Sequence, residues 1–331
     1  MTRQIVLKSR PTGLPLLSNF ETREIILPEL MNGQVLLTPQ IFSVDPYMRG
    51  RMNEGASYIA PFNVDEPIAG GGIAMIAESR AQGFEAGSFV QGFIPWQEEI
   101  LMDPTGLSIV DETIAPLDYY LGILGMPGLT AYFGLLEIGK LKQGETIVVS
   151  GAAGAVGIVV GQLAKIQGCH VVGIAGSDIK VDYLLNELHF DEAINYKTTK
   201  DLDAAIRLAC PSGVDVYFDN VGGEISDTVI SQINKFARII ICGQISLYNS
   251  TSIPIGPRLQ GTLLKKSALM QGFIVSNYAK RFPEGLNALA QLVVSGQLNY
   301  TSTSYSGFDK LPEAFIALFE GKNLGKLIVK L

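Results

Sequence analysis

Cysteine and histidine are scarce in this chain of 331 residues, which contains three cysteines and two histidines. Neither type occurs before Cys169, so the first half of the chain could offer a metal ion only carboxylates. A catalytic zinc site takes three protein ligands, and a structural four-cysteine site needs more cysteines than the chain has. His170 and His189 fall beside predicted strands, where core or surface roles are common. We therefore predict that the protein binds no metal.

The few cysteines also indicate a cellular compartment. Cys169, Cys210 and Cys242 form no C-x-x-C pair, and their odd number is typical of reduced thiols rather than of a disulfide framework. No uninterrupted apolar run reaches the roughly 20 residues that a membrane-spanning helix needs. The first residues also lack the apolar run of a signal peptide. We expect a cytoplasmic, soluble protein without a membrane partner.

Positive charge is limited as well, because 25 lysines and arginines face 32 aspartates and glutamates, for a net charge of −7. A nucleic-acid partner would require a basic patch, and none stands out, so we expect none. An anionic cofactor remains possible, since backbone N–H groups and one or two cations can form a local site. The absence of a G-x-S-x-G segment argues against a serine hydrolase.

The chain changes character along its length. Up to about residue 120, short candidate strands such as Gln34–Thr38 alternate with glycine, proline and asparagine, which indicates a mostly β domain. From Thr146 onward, β-branched apolar runs alternate with helix-like segments, which is typical of a parallel α/β sheet. We predict these six strands in that part: Thr146–Ser150, His170–Ala175, Glu192–Asn195, Val214–Asp219, Arg238–Cys242 and Met270–Val275.

The predicted fold class is therefore α/β, with a doubly wound parallel sheet of the Rossmann type plus a mostly β domain. After about Gly296 the sequence becomes polar and strand-like again, which predicts that the tail returns to the first domain. The predicted domains are residues 1–122 plus 298–331 for the mostly β domain and residues 123–297 for the Rossmann domain.

A glycine-rich turn lies between the first predicted strand of the sheet and the helix that follows, Ala155–Gln167. Gly151, Gly154 and Gly157 follow the spacing G-x-x-G-x-x-G rather than the standard G-x-G-x-x-G. Small residues at such a turn let the backbone approach a pyrophosphate, and the start of the helix offers it N–H groups. The pattern predicts dinucleotide binding; a well-packed strand–helix turn is the alternative.

The end of the second strand separates the two nicotinamide cofactors. An NAD enzyme usually places an acidic residue there, whereas this strand runs into Gly176 and Ser177, with Lys180 shortly after. A hydroxyl and a cation suit the 2′-phosphate of NADPH. Asp178 weakens this interpretation, and Lys180 could equally be a solvated lysine in the first turn of a helix.

Small polar and glycine residues follow the other strands of the sheet. Because ligands of an open α/β sheet bind outside the carboxyl ends of its strands, these segments are candidates for the rest of a cofactor site. They begin at Asn195, Asn220, Gly243 and Phe273. Each of them alone could be an ordinary loop.

Several long segments resemble the zinc-independent medium-chain dehydrogenase/reductases. Within them the chain is similar to the prostaglandin reductase, leukotriene hydroxydehydrogenase, alkenal reductase and bacterial curcumin reductase branch. The segments that carry the resemblance run over essentially the whole chain: Asp45–Arg51, Leu124–Tyr132, Gly151–Gly157, Gly168–Ser177, Val214–Gly223 and Gly321–Lys326.

The resemblance implies a GroES-like substrate domain joined to a Rossmann domain, NADPH as cofactor, and reduction of the carbon–carbon double bond of α,β-unsaturated ketones and aldehydes. It also implies a homodimer, formed by pairing the sixth strands of two sheets. The cofactor-binding residues that it implies, together with those from the motifs above, are Gly154, Ala155, Val156, Gly157, Ser177, Lys180, Tyr196, Asn220, Cys242, Gly243, Gln244, Ile245, Ser246, Tyr248, Phe273, Ile274, Val275 and Asn323.

The proton donor is less well defined. Mammalian and plant members carry a pocket tyrosine where this chain has Lys265, so that role cannot be transferred. Tyr47, Tyr58 and Tyr248 are the candidate donors to the substrate, and each could instead be a buried tyrosine with a satisfied hydroxyl. Two other functions stay open on the sequence alone, an NADPH quinone reductase of the same superfamily and a non-catalytic NADPH-binding protein.

Overall fold

The computed structural model describes residues 1–55 and 57–331 and divides into two compact units. Unit 1 comprises Met1–Leu121 and Ser302–Leu331, and unit 2 comprises Gly122–Thr301. The strands, numbered along the chain, are β1 Thr2–Leu7, β2 Phe20–Ile25, β3 Val35–Ser43, β4 Ala69–Ser79, β5 Phe89–Pro95, β6 Ile100–Met102, β7 Ser108–Val110, β8 Thr146–Ser150, β9 His170–Ala175, β10 Glu192–Asn195, β11 Val214–Asp219, β12 Ile233–Ile241, β13 Leu269–Gly272, β14 Ser302–Ser306 and β15 Lys326–Lys330.

Most of the helices lie in unit 2. The α-helices are α1 Tyr47–Arg51, α2 Met126–Phe133, α3 Gly157–Ile166, α4 Asp178–Asp182, α5 Leu202–Ala209, α6 Gly223–Ser231, α7 Gln260–Lys266, α8 Phe282–Val294 and α9 Leu311–Phe319. A π-helical segment follows each of α2 and α4, and a 3₁₀-helical segment precedes α8. No helix among residues 1–55 and 57–331 is long and apolar enough to cross a membrane.

Unit 1 is built on a seven-stranded sheet in the order β14-β15-β3-β4-β5-β7, with β6 paired to β3. The last strand of the chain, β15, lies antiparallel to β3 and parallel to β14. Helix α9 packs on β15, and its Phe315 enters the same core as Trp96 and Met48. The mostly β character predicted for this part of the chain is confirmed.

Unit 2 contains a six-stranded sheet in which every neighbouring pair is parallel, in the order β10-β9-β8-β11-β12-β13. This is the strand order of a doubly wound dinucleotide-binding fold, whose order reverses between β8 and β11. Every residue of β8 is buried, as expected for a central parallel strand that is covered on both faces. The predicted fold class is confirmed.

Two strands differ from their predicted bounds. The fifth begins at Ile233 rather than Arg238, and the pairing of β11 with β12 shifts register around Phe236, whose φ is 65°. The predicted sixth strand extended to Val275, but β13 ends at Gly272. Its ladder stops there because β12 ends at Ile241, after which the N–H groups of the next two residues donate to the carbonyl oxygen of Asp219.

Candidate active site

The turn between β8 and α3 is closed by backbone contacts that leave no room for a side chain at Gly157. A Cβ atom there would lie 2.4 Å from the carbonyl oxygen of Gly151 and 2.6 Å from that of Ala152. Gly151 itself has a φ of 59°, which favours glycine. The glycine spacing therefore reflects a tight turn that brings the start of α3 against the end of β8.

The start of α3 is open to a ligand. No side chain caps the helix, and the N–H groups of Ala155, Val156 and Gly157 donate to no other atom in the described part of the chain. Together with the adjacent Gly154, these unpaired N–H groups are suited to bind a phosphate group, because such groups at a helix start attract anions. This is the donor set that a pyrophosphate needs.

Lys180 and Lys197 lie near each other at the carboxyl end of β9. A Cβ on Gly176 would lie 3.0 Å from Cε1 of Tyr196 and 3.3 Å from Cε of Lys197, so both side chains pass over this glycine. Burial, and then the charge of Lys197, lower the pKa of Lys180. An anionic group placed between two such cations would be stabilised. Lys197 was not among the predicted site residues, although its sequence position directly after Tyr196 pointed to it.

The nearby acidic residue, Asp178, is already engaged. Its Oδ1 accepts a hydrogen bond of 2.6 Å from the side-chain amide of Asn195. The N-cap of α4 is Ser177, whose hydroxyl accepts from the N–H of Lys180 at 3.4 Å. The carboxylate of Asp178 is therefore held by β10, which weakens the sequence argument for NAD.

A buried aspartate organises the carboxyl ends of β8 and β11. Asp219 is 1% exposed, and its Oδ1 accepts hydrogen bonds from the hydroxyls of Ser150 and Tyr217, both at 2.9 Å. The same oxygen accepts from the N–H groups of Val221 and Gly222, at 3.0 and 2.9 Å. The other oxygen, Oδ2, is buried and has no partner within the described residues.

Asn220, a predicted cofactor ligand, is positioned by that network. Its N–H donates to the hydroxyl of Ser150 at 3.0 Å, and its side-chain amide donates to the carbonyl of Ser150 at 2.8 Å. The loop that follows β12 docks onto the same segment, since the hydroxyl of Ser246 donates to the carbonyl of Val221 at 2.6 Å and the N–H of Ile245 donates to that of Asn220. Asp219 thus fixes the positions of the candidate ligands Asn220 and Ser246 through Ser150 and the backbone of Val221.

Tyr248 folds back over the start of its own loop. Its hydroxyl oxygen accepts a hydrogen bond of 3.2 Å from the N–H of Gln244, and a Cβ on Gly243 would lie 3.2 Å from that oxygen. Burial raises the pKa of Tyr248, and it raises that of the Cys242 thiol to about 12. Both groups therefore stay protonated at neutral pH.

The segment after β13 turns inward at Phe273, which is buried next to Phe218. A Cβ on Gly134 would lie 2.9 Å from the Phe273 ring and 2.8 Å from the Phe218 ring. The extended residue Ile274 precedes a turn that begins at Val275. The structure therefore gathers the predicted cofactor residues of unit 2 along one edge of its sheet.

The predicted residues of unit 1 have different surroundings. Tyr47 begins α1, and burial, followed by the charge of Asp45, raises its pKa well above the usual value. Tyr58 is 62% exposed. Asn323 is buried, and its side-chain amide donates to the carbonyl of Gly325 at 2.8 Å, so part of its hydrogen-bonding capacity closes its own turn.

A buried ion pair fixes the segment before Tyr47. Lys326 is 1% exposed, and its Nζ donates to Oδ1 of Asp45 at 3.1 Å and to the carbonyls of Val44 and Leu327 at 2.9 and 3.0 Å. The other carboxylate oxygen of Asp45 accepts from Ser43. A strand from the end of the chain thereby positions α1.

Two family models match the chain. The one described as the N-terminal domain of oxidoreductase matches residues 3–110, and the one described as zinc-binding dehydrogenase matches residues 155–291. Despite the second description, the described residues contain no group of three or more histidine, cysteine or acidic side chains that could hold a metal ion.

Curated relatives match over nearly their full length. A Bacillus subtilis protein named as an NADP-dependent oxidoreductase is 53% identical over 99% of this chain and 97% of its own. Prostaglandin reductase 1 of Rattus norvegicus is 46% identical over 98% and 97% of the two chains. The NADP-dependent 2-alkenal reductase of Nicotiana tabacum is 40% identical over 99% and 96%.

Among solved structures, CurA from Vibrio vulnificus in complex with NADPH has a TM-score of 0.94 and 41% identity, over 99% of this chain and 98% of its own. The NADPH-bound quinone oxidoreductase of Escherichia coli has a TM-score of 0.77 and 18% identity over 99% and 100%, a likeness that shows the fold alone.

The Rossmann sheet, the mostly β unit and the two matching family models define a medium-chain dehydrogenase/reductase. The near-full-length relatives then place the chain within this class. It belongs to the branch that contains the prostaglandin, alkenal and curcumin reductases.

Proposed function

We propose that the protein reduces the carbon–carbon double bond of α,β-unsaturated ketones and aldehydes with NADPH. The observation that carries this proposal is the identity of 39% or more, over nearly the whole chain, to proteins named as alkenal, curcumin and prostaglandin reductases. The alternative of a quinone reductase has only the shared fold in its favour. A non-catalytic role is disfavoured, because oxidoreductases match both units.

Unit 2 supplies the NADPH site in this proposal, and unit 1 supplies the substrate domain. Gly154–Gly157 take the pyrophosphate on the free N–H groups that begin α3. Ser177, Lys180 and Tyr196 take the 2′-phosphate, and Lys197 joins them as a second cation. The other predicted ligands of unit 2, which are Asn220, Cys242–Ser246, Tyr248 and Phe273–Val275, contact the remainder of the cofactor.

When bound, NADPH would supply a hydride for the β-carbon of the enone, and a proton from the solvent would complete the reduction at the α-carbon. The contribution of the protein is to stabilise the negative charge that develops on the carbonyl oxygen. Tyr47 and Tyr248 suit this role, because a phenol hydroxyl donates a hydrogen bond and is protonated at neutral pH, and burial raises the pKa of both side chains further. Asp219 and Lys326 position these segments without contacting the substrate.

Single Tyr→Phe replacements test these donors. We expect Tyr47→Phe and Tyr248→Phe to lower kcat by about a hundredfold or more, which is the effect of losing one donor to a developing oxyanion. Tyr58→Phe should change kcat less, because Tyr58 is mostly exposed. Unchanged kcat in either of the first two variants removes that tyrosine from the reaction.

The reaction itself is tested by following NADPH absorbance with a panel of enones, with quinones and NADH alongside. Turnover of enones with NADPH, and slow turnover with NADH, is the expected result. Activity with quinones but with no enone would leave the fold intact and overturn the double-bond assignment.

We also propose a homodimer that works in the cytoplasm. The outer strand of the unit 2 sheet, β13, has a free edge within the described structure, and Leu264 and Leu269 are exposed beside it. Such an edge favours pairing with a second copy.

The proposed location in the cytoplasm rests on the cysteines. Cys169, Cys210 and Cys242 form no disulfide with one another, in keeping with a reducing compartment. Cell fractionation tests this location.

A further inference from the structure

Asp178 lies where an NAD enzyme would need a carboxylate. It comes about 20 residues after Gly157, the distance at which dinucleotide-binding folds place the acidic residue that binds the ribose 2′-hydroxyl of NAD. Asp178 is exposed and is the first residue of α4. A free carboxylate at this position would oppose the use of NADPH, because it would repel the 2′-phosphate.

Asn195 lies beside this carboxylate at the same edge of the sheet. It is the last residue of β10 and pairs with Ala175, the last residue of β9. Its side-chain nitrogen donates to Oδ1 of Asp178 at 2.6 Å, and its side-chain oxygen accepts from the N–H of Lys197 at 3.1 Å. One side chain therefore holds the acidic residue on one side and the backbone of a basic residue on the other.

The turn after β10 keeps this side chain in place. The backbone carbonyl of Asn195 accepts from the N–H of Thr199 at 3.0 Å and from the hydroxyl of Thr199 at 2.7 Å. The N–H of Tyr196 donates to the carbonyl of Ala175 at 3.1 Å, which ties the start of the turn to β9. The backbone that carries the Asn195 side chain is therefore fixed within the sheet edge.

An amide group satisfies both neighbours of Asn195 at once. The ionised carboxylate of Asp178 can only accept hydrogen bonds, and the backbone N–H of Lys197 can only donate one. An aspartate in place of Asn195 would repel Asp178, and an alanine would bind neither neighbour. The two partners thus define which end of the amide faces each of them.

We propose that Asn195 determines the cofactor specificity of the protein by holding Asp178 away from the adenosine ribose. Without Asn195, the carboxylate would turn toward the ribose, where it would accept a hydrogen bond from the 2′-hydroxyl of NADH and repel the 2′-phosphate of NADPH. Asn195 is a positioning residue, since it acts on the cofactor through Asp178. This role rests on the proposed NADPH site and adds to it the residue that excludes NADH.

Cofactor titrations of Asn195→Ala test this role without any substrate. The fluorescence of the reduced nicotinamide gives Kd for NADPH and for NADH. We expect Kd for NADPH to rise and Kd for NADH to fall, so that their ratio changes by about tenfold or more, in keeping with one hydrogen bond to a charged group. Asn186→Ala, at an exposed asparagine of the same unit, should leave both Kd values unchanged.

An Asp178→Asn background separates this role from simple damage to the turn. In that background, Asn195→Ala should no longer lower Kd for NADH, because the carboxylate that would bind the ribose is gone. A fall in Kd for NADH that persists without Asp178 would refute the proposed role. A parallel rise of both Kd values in Asn195→Ala, or no change in either, would refute it as well.

Lys180→Met in the same titration separates the role of Asn195 from the proposed cofactor site. If Lys180→Met leaves the ratio of the two Kd values unchanged, the proposed 2′-phosphate contacts fail, and the dependence of Asn195→Ala on Asp178 still decides the role of Asn195. If Lys180→Met lowers the preference for NADPH but Asn195→Ala does not, only the role of Asn195 is refuted.

Discussion

At the scale of single residues, we propose that the charges around Gly176 set the preference between the two nicotinamide cofactors. The side-chain amide of Asn195 donates a hydrogen bond to Oδ1 of Asp178, while Lys180 and Lys197 lie close enough for the charge of Lys197 to lower the pKa of Lys180. An acidic residue that would favour NAD is thus present in the sequence but is directed to the neighbouring strand. In the proposed site, this division of roles would favour NADPH over NADH.

Replacement of Lys180 by methionine measures that preference. We expect KM for NADPH to rise by about tenfold or more, because a hydrogen bond to a charged group contributes about 1.5–3 kcal/mol. KM for NADH should change little, since NADH lacks the 2′-phosphate. Lys200→Met, at an exposed lysine of the same unit, is the control. An unchanged ratio of the two KM values would exclude Lys180 from cofactor selection.

Asp219 shows what sequence reasoning missed at this scale. An aspartate at the end of a strand resembles many surface aspartates, and nothing nearby in the sequence indicates its burial. Its hydroxyl partner Ser150 lies on another strand, 69 positions away, and becomes a neighbour only when β8 and β11 pair. Contacts of this kind depend on the sheet order and could not be predicted from local pattern.

At the scale of elements, the strands of unit 2 were predictable because they are short, β-branched and buried on both faces. The bounds of β8, β9, β10 and β11 agree with the prediction. The bounds of β12 and β13 do not, because a bulge near Phe236 and the backbone bonds to Asp219 decide them. Tertiary contacts therefore set the strand ends at the candidate site.

The turn that begins α3 gives a prediction at the same scale. Gly157→Ala should lower the free energy of unfolding by about 1–3 kcal/mol and weaken NADPH binding, because the new methyl group would clash with two backbone carbonyls that cannot move independently. Urea unfolding and a cofactor titration measure the two effects.

Gly261→Ala provides the comparison for that turn. Gly261 lies in α7, and a Cβ there would meet no atom within 4 Å. This substitution should stabilise the protein by about 0.5–1 kcal/mol, because alanine favours a helix more than glycine does. Equal effects of the two substitutions would contradict the proposed role of close backbone packing at Gly157.

At the scale of the whole molecule, the free edge of β13 is where a second copy would add its own strand. Two β13 strands related by a twofold axis would extend the six-stranded sheet across both subunits. Leu269 is 46% exposed on this strand, and Leu264 is exposed on the adjoining α7. Burial of these side chains in a dimer would remove apolar surface from water and protect the edge from other strands.

Leu269→Lys tests the dimer. The substitution would place a lysine on the free edge of β13 in each copy, and a charged edge residue disfavours pairing with another strand, so we expect dissociation to monomers in light scattering after gel filtration. Leu208→Lys, at an exposed leucine on α5, should leave the wild-type mass unchanged. A monomeric wild type would refute the homodimer, and a Leu269→Lys variant that stays dimeric would place the interface on another surface.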